Sequence, residues 1–192
     1  MKLFFDIEST GLPKLISHNV FFPPELLDKY DSSRIIELGL VLCDKGKIID
    51  TYNSIIKPEN FTKLDPFITK LTGITDEKIL NEGKDINVVF KEIEPFLEKA
   101  NVLNSYNIKF DYSVLISEMY RNRQRSLLKK IKNKKIECTF ELSKKILYLG
   151  SYKLEKVYKE LFKEDPKQDH RALNDAVLCK DVYYKLKEIT KK

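Results

Sequence analysis

Leu3 to Ile7 form a near-continuous apolar run broken only by Asp6, the pattern of a strand buried on both faces. Residues 34–43 and 47–57 are β-rich and are joined by Asp44-Lys45-Gly46, a hairpin signal, so three strands open the chain. Asp85 can then cap a helix running toward Ala100, with Val88, Val89, Ile93, Phe96 and Leu97 at helical spacing. Residues 101–106 read as a short strand, 109–122 as a helix, 135–140 as another strand, and 152–162 and 170–189 as helices. Three meandering strands followed by helix, strand, helix, strand and helix make an α/β pattern. A chain of 192 residues, 42% hydrophobic, has apolar material for one domain with a substantial core, so a single domain over residues 1–192 is expected.

The net charge of +6 fits an anionic partner, although lysine-rich surfaces are also common without one. Cys43, Cys138 and Cys179 are odd in number, far apart and set in apolar stretches, which reads as reduced thiols rather than a zinc site or a disulfide. The apolar stretch before Asp6 is too short for a signal-peptide core, and no run is long enough to span a bilayer, so a soluble intracellular protein with no membrane partner is expected. Residues 13–33 make a long connection between the first two strands, read either as a lid or as a loop packed on the surface. Residues 121–135 hold eight Lys or Arg and no acid. They read either as a track for a phosphate backbone or as a solvated helix end and loop.

The chemistry is signalled by acids at positions where the pattern predicts burial. Asp6 and Glu8, two apart on the first strand, project from one face together with Phe4, roughly 7 Å apart along the chain. On the last helix Ala172, Asp175, Cys179, Val182 and Leu186 form one stripe, so Asp175 is in line with apolar neighbours. Asp111 heads a helix face continued by Val114 and Leu115. Taken singly, Asp111 and Asp175 fit local caps or ion-pair partners. If these faces converge, up to four negative charges share a partly dry site, which is prohibitive without compensation. No basic residue falls on the same stripes, whereas two divalent cations would balance the charge, and oxygen-only ligands suit Mg²⁺ or Mn²⁺. Two ions roughly 4 Å apart can hold the attacking and leaving oxygens of an in-line phosphoryl displacement. Of the two histidines, His18 reads as exposed or structural. His170, in the loop just before the last helix with Asp169 as its cap, has a ring suited to accepting a proton near neutral pH.

Phe5-Asp6-Ile7-Glu8-Ser9-Thr10-Gly11-Leu12, Asn107-Ile108-Lys109-Phe110-Asp111 and His170-Arg171-Ala172-Leu173-Asn174-Asp175 resemble, in order and spacing, the three motifs of the DEDDh 3′–5′ exonucleases. Within that family the chain is similar to the DnaQ-like group of the proofreading epsilon subunit of bacterial DNA polymerase III. Leu71-Thr72-Gly73-Ile74-Thr75 looks like a further recurrent segment of that group. Tyr106 stands where the second motif commonly has a histidine, and Arg171 rules out the sister family's Tyr-x3-Asp motif.

The resemblance implies an RNase H-like fold with a mixed five-stranded sheet, three antiparallel strands then parallel ones, flanked by helices. It implies metals on Asp6, Glu8, Asp111 and Asp175 and His170 as general base. It further implies backbone near Thr10 and Gly11 on the terminal 3′-hydroxyl, Leu12 wedged against the last bases, and Asn107 and Phe110 lining the pocket for the chain end. The expected activity is removal of nucleoside 5′-monophosphates from the 3′ end of single-stranded DNA or frayed duplex ends, in proofreading or repair, with replication or repair proteins as partners. RNA trimming, a non-catalytic nucleic-acid-binding module and an endonuclease are the competing readings. The sequence ends at Lys192 directly after the last helix, so attachment to a polymerase through a C-terminal tail is not expected.

Overall fold

The computed structural model describes residues 1–166 and 170–190. Its centre is β1 (Lys2–Ser9), the middle strand of a five-stranded sheet in the order β5-β4-β1-β6-β7. β4 (Ile35–Asp44) and β5 (Lys47–Ile55) are antiparallel neighbours on one side. β6 (Val102–Ser105) and β7 (Lys135–Cys138) run parallel to β1 on the other. The β4–β5 turn has Asp44 opposite Lys47 and places Lys45 and Gly46 at φ 48° and 91°. Two positive φ values in a two-residue loop match the right-handed twist of the strands it joins. The small hairpin β2 (Leu15–Ser17) and β3 (Val20–Phe21) forms inside the long connection.

Parallel pairing of β1 with β6 demands a crossover, and α1 (Pro66–Thr72), α2 (Asp76–Glu82) and α3 (Ile86–Lys99) supply it. α4 (Ile108–Arg121) and α5 (Arg125–Lys132) join β6 to β7, and α6 (Thr139–Ile146), α7 (Leu154–Phe162) and α8 (Ala172–Ile189) follow. The odd residues of β1, Leu3, Phe5 and Ile7, share the larger core with Leu38, Leu40 and Leu42 of β4 and with α3, α4 and α5. The even face begins with Phe4, which packs with Val41 and Cys43 against Ala176, Cys179 and Tyr183 of α8. Glu8 and Asp6 continue that even face toward the strand's end, beneath the first turns of α8.

Several sequence expectations change here. α1, α2, α5 and α6 had no counterpart in the apolar pattern, and residues 139–140 open a helix instead of ending a strand. Val88 is exposed, while Ile86 and Phe90 take the buried positions of α3 beside Val89, Ile93, Phe96 and Leu97. α8 begins at Ala172 with Arg171 as its N-cap residue; the cap expected at Asp169 lies outside the described residues. Residues 13–33 pack on the protein as ordered structure: Tyr30 is fully buried, its hydroxyl donates to Phe22 O at 2.5 Å, and Arg121 of α4 donates to Leu27 O and Asp31. In the basic segment Arg121, Lys130, Lys132 and Lys135 pair with acids, which neutralises part of any phosphate track. Cys43, Cys138 and Cys179 are free thiols. Among the described residues no helix is long and apolar enough to cross a membrane.

Candidate metal centre and chain-end pocket

β1 delivers two carboxylates, and α4 and α8 one each, to the carboxyl end of the parallel half of the sheet. A carboxylate oxygen from each of Asp6, Glu8 and Asp175 lies within 4.8 Å of the others. Asp111, almost fully buried in the first turn of α4, joins them as a lining residue of a cavity of about 210 Å³, which Asn107 and Phe110 share. Ser105, the last residue of β6, donates its hydroxyl to Asp111 Oδ2. The β6–α4 junction is thus tied to the carboxylate it presents.

Close approach of α8 to the sheet makes the cluster. Gly39 of β4 pairs with Asp6, and a Cβ on it would stand 2.3 Å from Ala172 C and Leu173 N. Only hydrogen at that position lets the first turn of α8 rest on the strand beside Asp6. Two residues along the strand, Glu37 pairs with Glu8 and is fully buried. Arg171 Nη2 donates to Glu37 Oε1 at 2.5 Å, Arg171 Nε to Oε2 at 3.0 Å, Ala172 N to Oε2 at 3.1 Å and Asn53 Nδ2 to Oε1 at 3.0 Å.

Electrostatics follow from that crowding. Burial, then Asp111, Glu8, Asp175 and Glu37, push Asp6 well above the usual carboxylate range. Burial, Asp175, Glu37 and Asp111 push Glu8 up to about 8, with Arg171 pulling the other way. Burial raises Asp111 to about 7 against hydrogen bonds from Ser105 and the Ile7 backbone. Carboxyls raised in the folded state hold protons that the unfolded chain has released above pH ~4.5. Their contribution to stability is therefore complete below that pH and is lost as pH rises through about 7–8. Without divalent cations the protein should melt lower at pH 8.5 than at pH 5.5, by roughly 10 °C if a few kcal/mol are involved. Added Mn²⁺ should restore stability more at the higher pH, because it competes with those protons. Thermal melts across both conditions check this; a metal-free melting temperature that rises with pH over that window contradicts it. A partly dry, oxygen-only donor set that stays protonated when alone is the chemistry that fits a hard divalent cation.

The other expected site residues are placed as follows. His170 is exposed, has φ 49°, and lines a larger adjoining cleft of about 690 Å³ that shares Tyr106, Asn107 and Leu154 with the carboxylate cavity. It does not line the cavity of the four acids. Thr10, Gly11 and Leu12 also lie outside that cavity. The Thr10 amide donates to Arg34 O at 2.9 Å and its hydroxyl to Ser32 O at 3.0 Å, while Leu12 is 73% exposed. Phe110 meets Phe21 of the β2–β3 hairpin at 6.3 Å between ring centroids, so the long connection borders the site. Sequence reasoning missed Glu37, Arg171 and Leu154. Glu37 carried the same signal as Asp6, an acid inside an apolar run from Ile35 to Cys43. Arg171 stood in the third motif but precedes the helical stripe, so nothing in the pattern pointed it at Glu37.

Residues 3–183 match the RNase_T family model, described as Exonuclease. A PolC-type DNA polymerase III of Caldanaerobacter subterraneus subsp. tengcongensis is 30% identical over 187 residues, 96% of this chain and 11% of that polymerase. The DNA polymerase III subunit epsilon of Treponema pallidum is 26% identical over 182 residues, 93% of this chain and 73% of the subunit. The chain thus spans about a tenth of the PolC-type relatives it matches. Among solved structures, the nuclease domain of 3′hExo, a DEDDh family member, bound to rAMP, superposes with a TM-score of 0.70 at 19% identity, covering 99% of this chain and 92% of that one. At that identity the likeness is one of fold.

Proposed function

The chain belongs to the RNase_T exonuclease family, and from that premise we propose that it is a 3′–5′ exonuclease of the DEDDh type whose residues 1–192 work as one domain that trims single-stranded DNA 3′ ends with two Mg²⁺ or Mn²⁺ ions. The observation that carries this reading is the convergence of Asp6, Glu8 and Asp175 within 4.8 Å, with Asp111 on the same cavity. These four side chains would hold the ions. Divalent cations bound there supply positive charge to the attacking and leaving oxygens of an in-line displacement.

The chain's own residues do the rest. Asn107 and Phe110, on the cavity wall, receive the terminal nucleotide. The Thr10 amide is committed to Arg34 O, which leaves the Gly11 side of the turn for the 3′-hydroxyl. Leu12, exposed beside it, is free to wedge against the last bases. His170, which lines the adjoining cleft, takes the proton of the attacking water on a ring nitrogen, and the product leaves as a nucleoside 5′-monophosphate. His170→Ala should lower the turnover rate by roughly 10²- to 10⁴-fold with Mn²⁺ binding retained; an unchanged rate removes His170 from the mechanism.

DNA is favoured over RNA because curated relatives are named as DNA polymerase III proteins, which also suggests an intracellular setting with replication or repair proteins as partners. RNA is the second reading, supported by the rAMP bound to the structural neighbour. A gel time course with 5′-labelled DNA and matched RNA tests both. A one-nucleotide ladder shrinking from the 3′ end, faster on DNA, is expected. A faster RNA ladder transfers the assignment to RNA, internal cuts mean an endonuclease, and no cleavage with either metal means a binding module.

A further inference from the structure

Glu37 is a fully buried carboxylate that the proposed chemistry does not use. Its partners are unusual in where they come from. Arg171 and the Ala172 amide belong to the residue before α8 and to its first turn, and Asn53 reaches across from β5. Both oxygens of Glu37 are engaged by the guanidinium, and Oε2 also accepts the Ala172 amide. The strand carrying Glu37 also carries Gly39, the position on which that same first turn rests. Glu37 is thus a charged clamp and Gly39 a seat for the segment that runs from His170 to Asp175. A salt bridge to a fully buried carboxylate is a poor source of net stability, because desolvation of Glu37 offsets much of its attraction. Its value lies in fixing geometry: a bidentate guanidinium–carboxylate pair sets direction as well as distance.

We infer that Glu37 and Arg171 are positioning residues for the metal centre, holding the N-terminus of α8 so that Asp175 meets Asp6 and Glu8. The inference rests on the metal reading above. The groups facing the pair are Glu8 and Asp6 on β1 and Asn53 on β5. Neither Glu37 nor Arg171 has to touch the ion or the nucleic acid for this role.

The experiment is a Mn²⁺ titration of the full chain, followed by electron paramagnetic resonance without nucleic acid, alongside kcat and KM on a DNA oligonucleotide. Glu37→Gln keeps the shape and removes the charge. Its Mn²⁺ half-saturation should rise roughly 10- to 100-fold, the scale found when groups that orient metal ligands are removed. kcat at fixed sub-saturating Mn²⁺ should fall with it while KM for DNA changes little. Arg171→Gln should do the same, and the double variant should be no worse than the poorer single, because both break one clamp. Ile131→Ala, a cavity in the fully buried face of α5, serves as the control that lowers the melting temperature without moving Mn²⁺ half-saturation. The inference is overturned if Glu37→Gln binds Mn²⁺ as wild type does, if the two single effects multiply in the double variant, or if Arg171→Gln changes only KM for DNA. Absence of Mn²⁺ binding by the wild-type protein would instead remove the metal reading itself, so the two failures are distinguishable.

Discussion

Asp6→Ala should reduce 3′-end hydrolysis by about 10³-fold or more while leaving the protein folded. The factor follows from losing a metal ligand whose charge stabilisation is on the order of 4 kcal/mol in the transition state, at about 1.4 kcal/mol per tenfold. Folding should survive because Asp6 is held against its own interest. Burial and four neighbouring acids all oppose its ionised form, so alanine relieves repulsion that the metal-free protein otherwise carries. The metal-free melting temperature at pH 8.5 should therefore stay level or rise, and the fall in stability between pH 5.5 and 8.5 should shrink. Parallel rate and melting measurements check both parts. A variant that loses activity because it unfolds would point to a structural Asp6, and one that keeps near-normal turnover would remove it from the site.

Gly39→Val should be nearly as damaging by a different route. Even a Cβ at residue 39 would lie 2.3 Å from the backbone of Ala172 and Leu173, and backbone cannot rotate away as a side-chain tip can. The first turn of α8 must lift or the strand must bend, at a cost of roughly 1–3 kcal/mol or more. Asp175 rides on that turn, and a displacement near 1 Å in a reacting geometry is worth about 10²-fold in rate. Expected together are a melting temperature lower by several degrees, weaker Mn²⁺ binding and a rate loss of about 10²-fold in the fraction that remains folded. Gly39→Ala should show the same pattern in reduced form. Wild-type activity and stability in both variants would mean that α8 does not depend on this contact.

The parts of the molecule legible in the sequence were those whose signal is local and repeated. β1 showed itself as an apolar run, the β4–β5 turn as Asp44-Lys45-Gly46, and α8 as a stripe whose members Ala172, Asp175, Cys179, Val182 and Leu186 are all buried. Short helices were harder. α1 and α2 have seven residues each, two turns, too few for an apolar period to stand out. Their ends were nevertheless marked by the Asp65 cap with Pro66 behind it, the left-handed Gly73 and the Thr75 cap. In α5, charge hid the buried Leu127, Leu128 and Ile131 inside a segment that reads as basic.

Asp6, Asp111 and Asp175 stood out because each falls within an apolar pattern, and Glu8 because it shares a strand face with Asp6; the first cue applied equally to Glu37. What a linear pattern could not supply was contact between distant elements: the seat at Gly39, the clamp from Arg171 to Glu37, and the hairpin contact of Phe21 with Phe110. Charge balance was misjudged for the same reason. The guanidinium that offsets part of the acidic cluster comes from outside the helical stripe, where it pairs with Glu37 and also acts on Glu8.

The most direct test of the metal-centre assignment is a count of Mn²⁺ bound per chain in chelator-treated protein with a nucleoside 5′-monophosphate present, made together with an activity titration. Two ions per wild-type chain are expected, with activity rising in step with their binding and ceasing in excess chelator, and with fewer than two ions in Asp6→Ala. Undiminished 3′-end trimming by the metal-free protein, or a wild-type stoichiometry that Asp6→Ala does not alter, would contradict it.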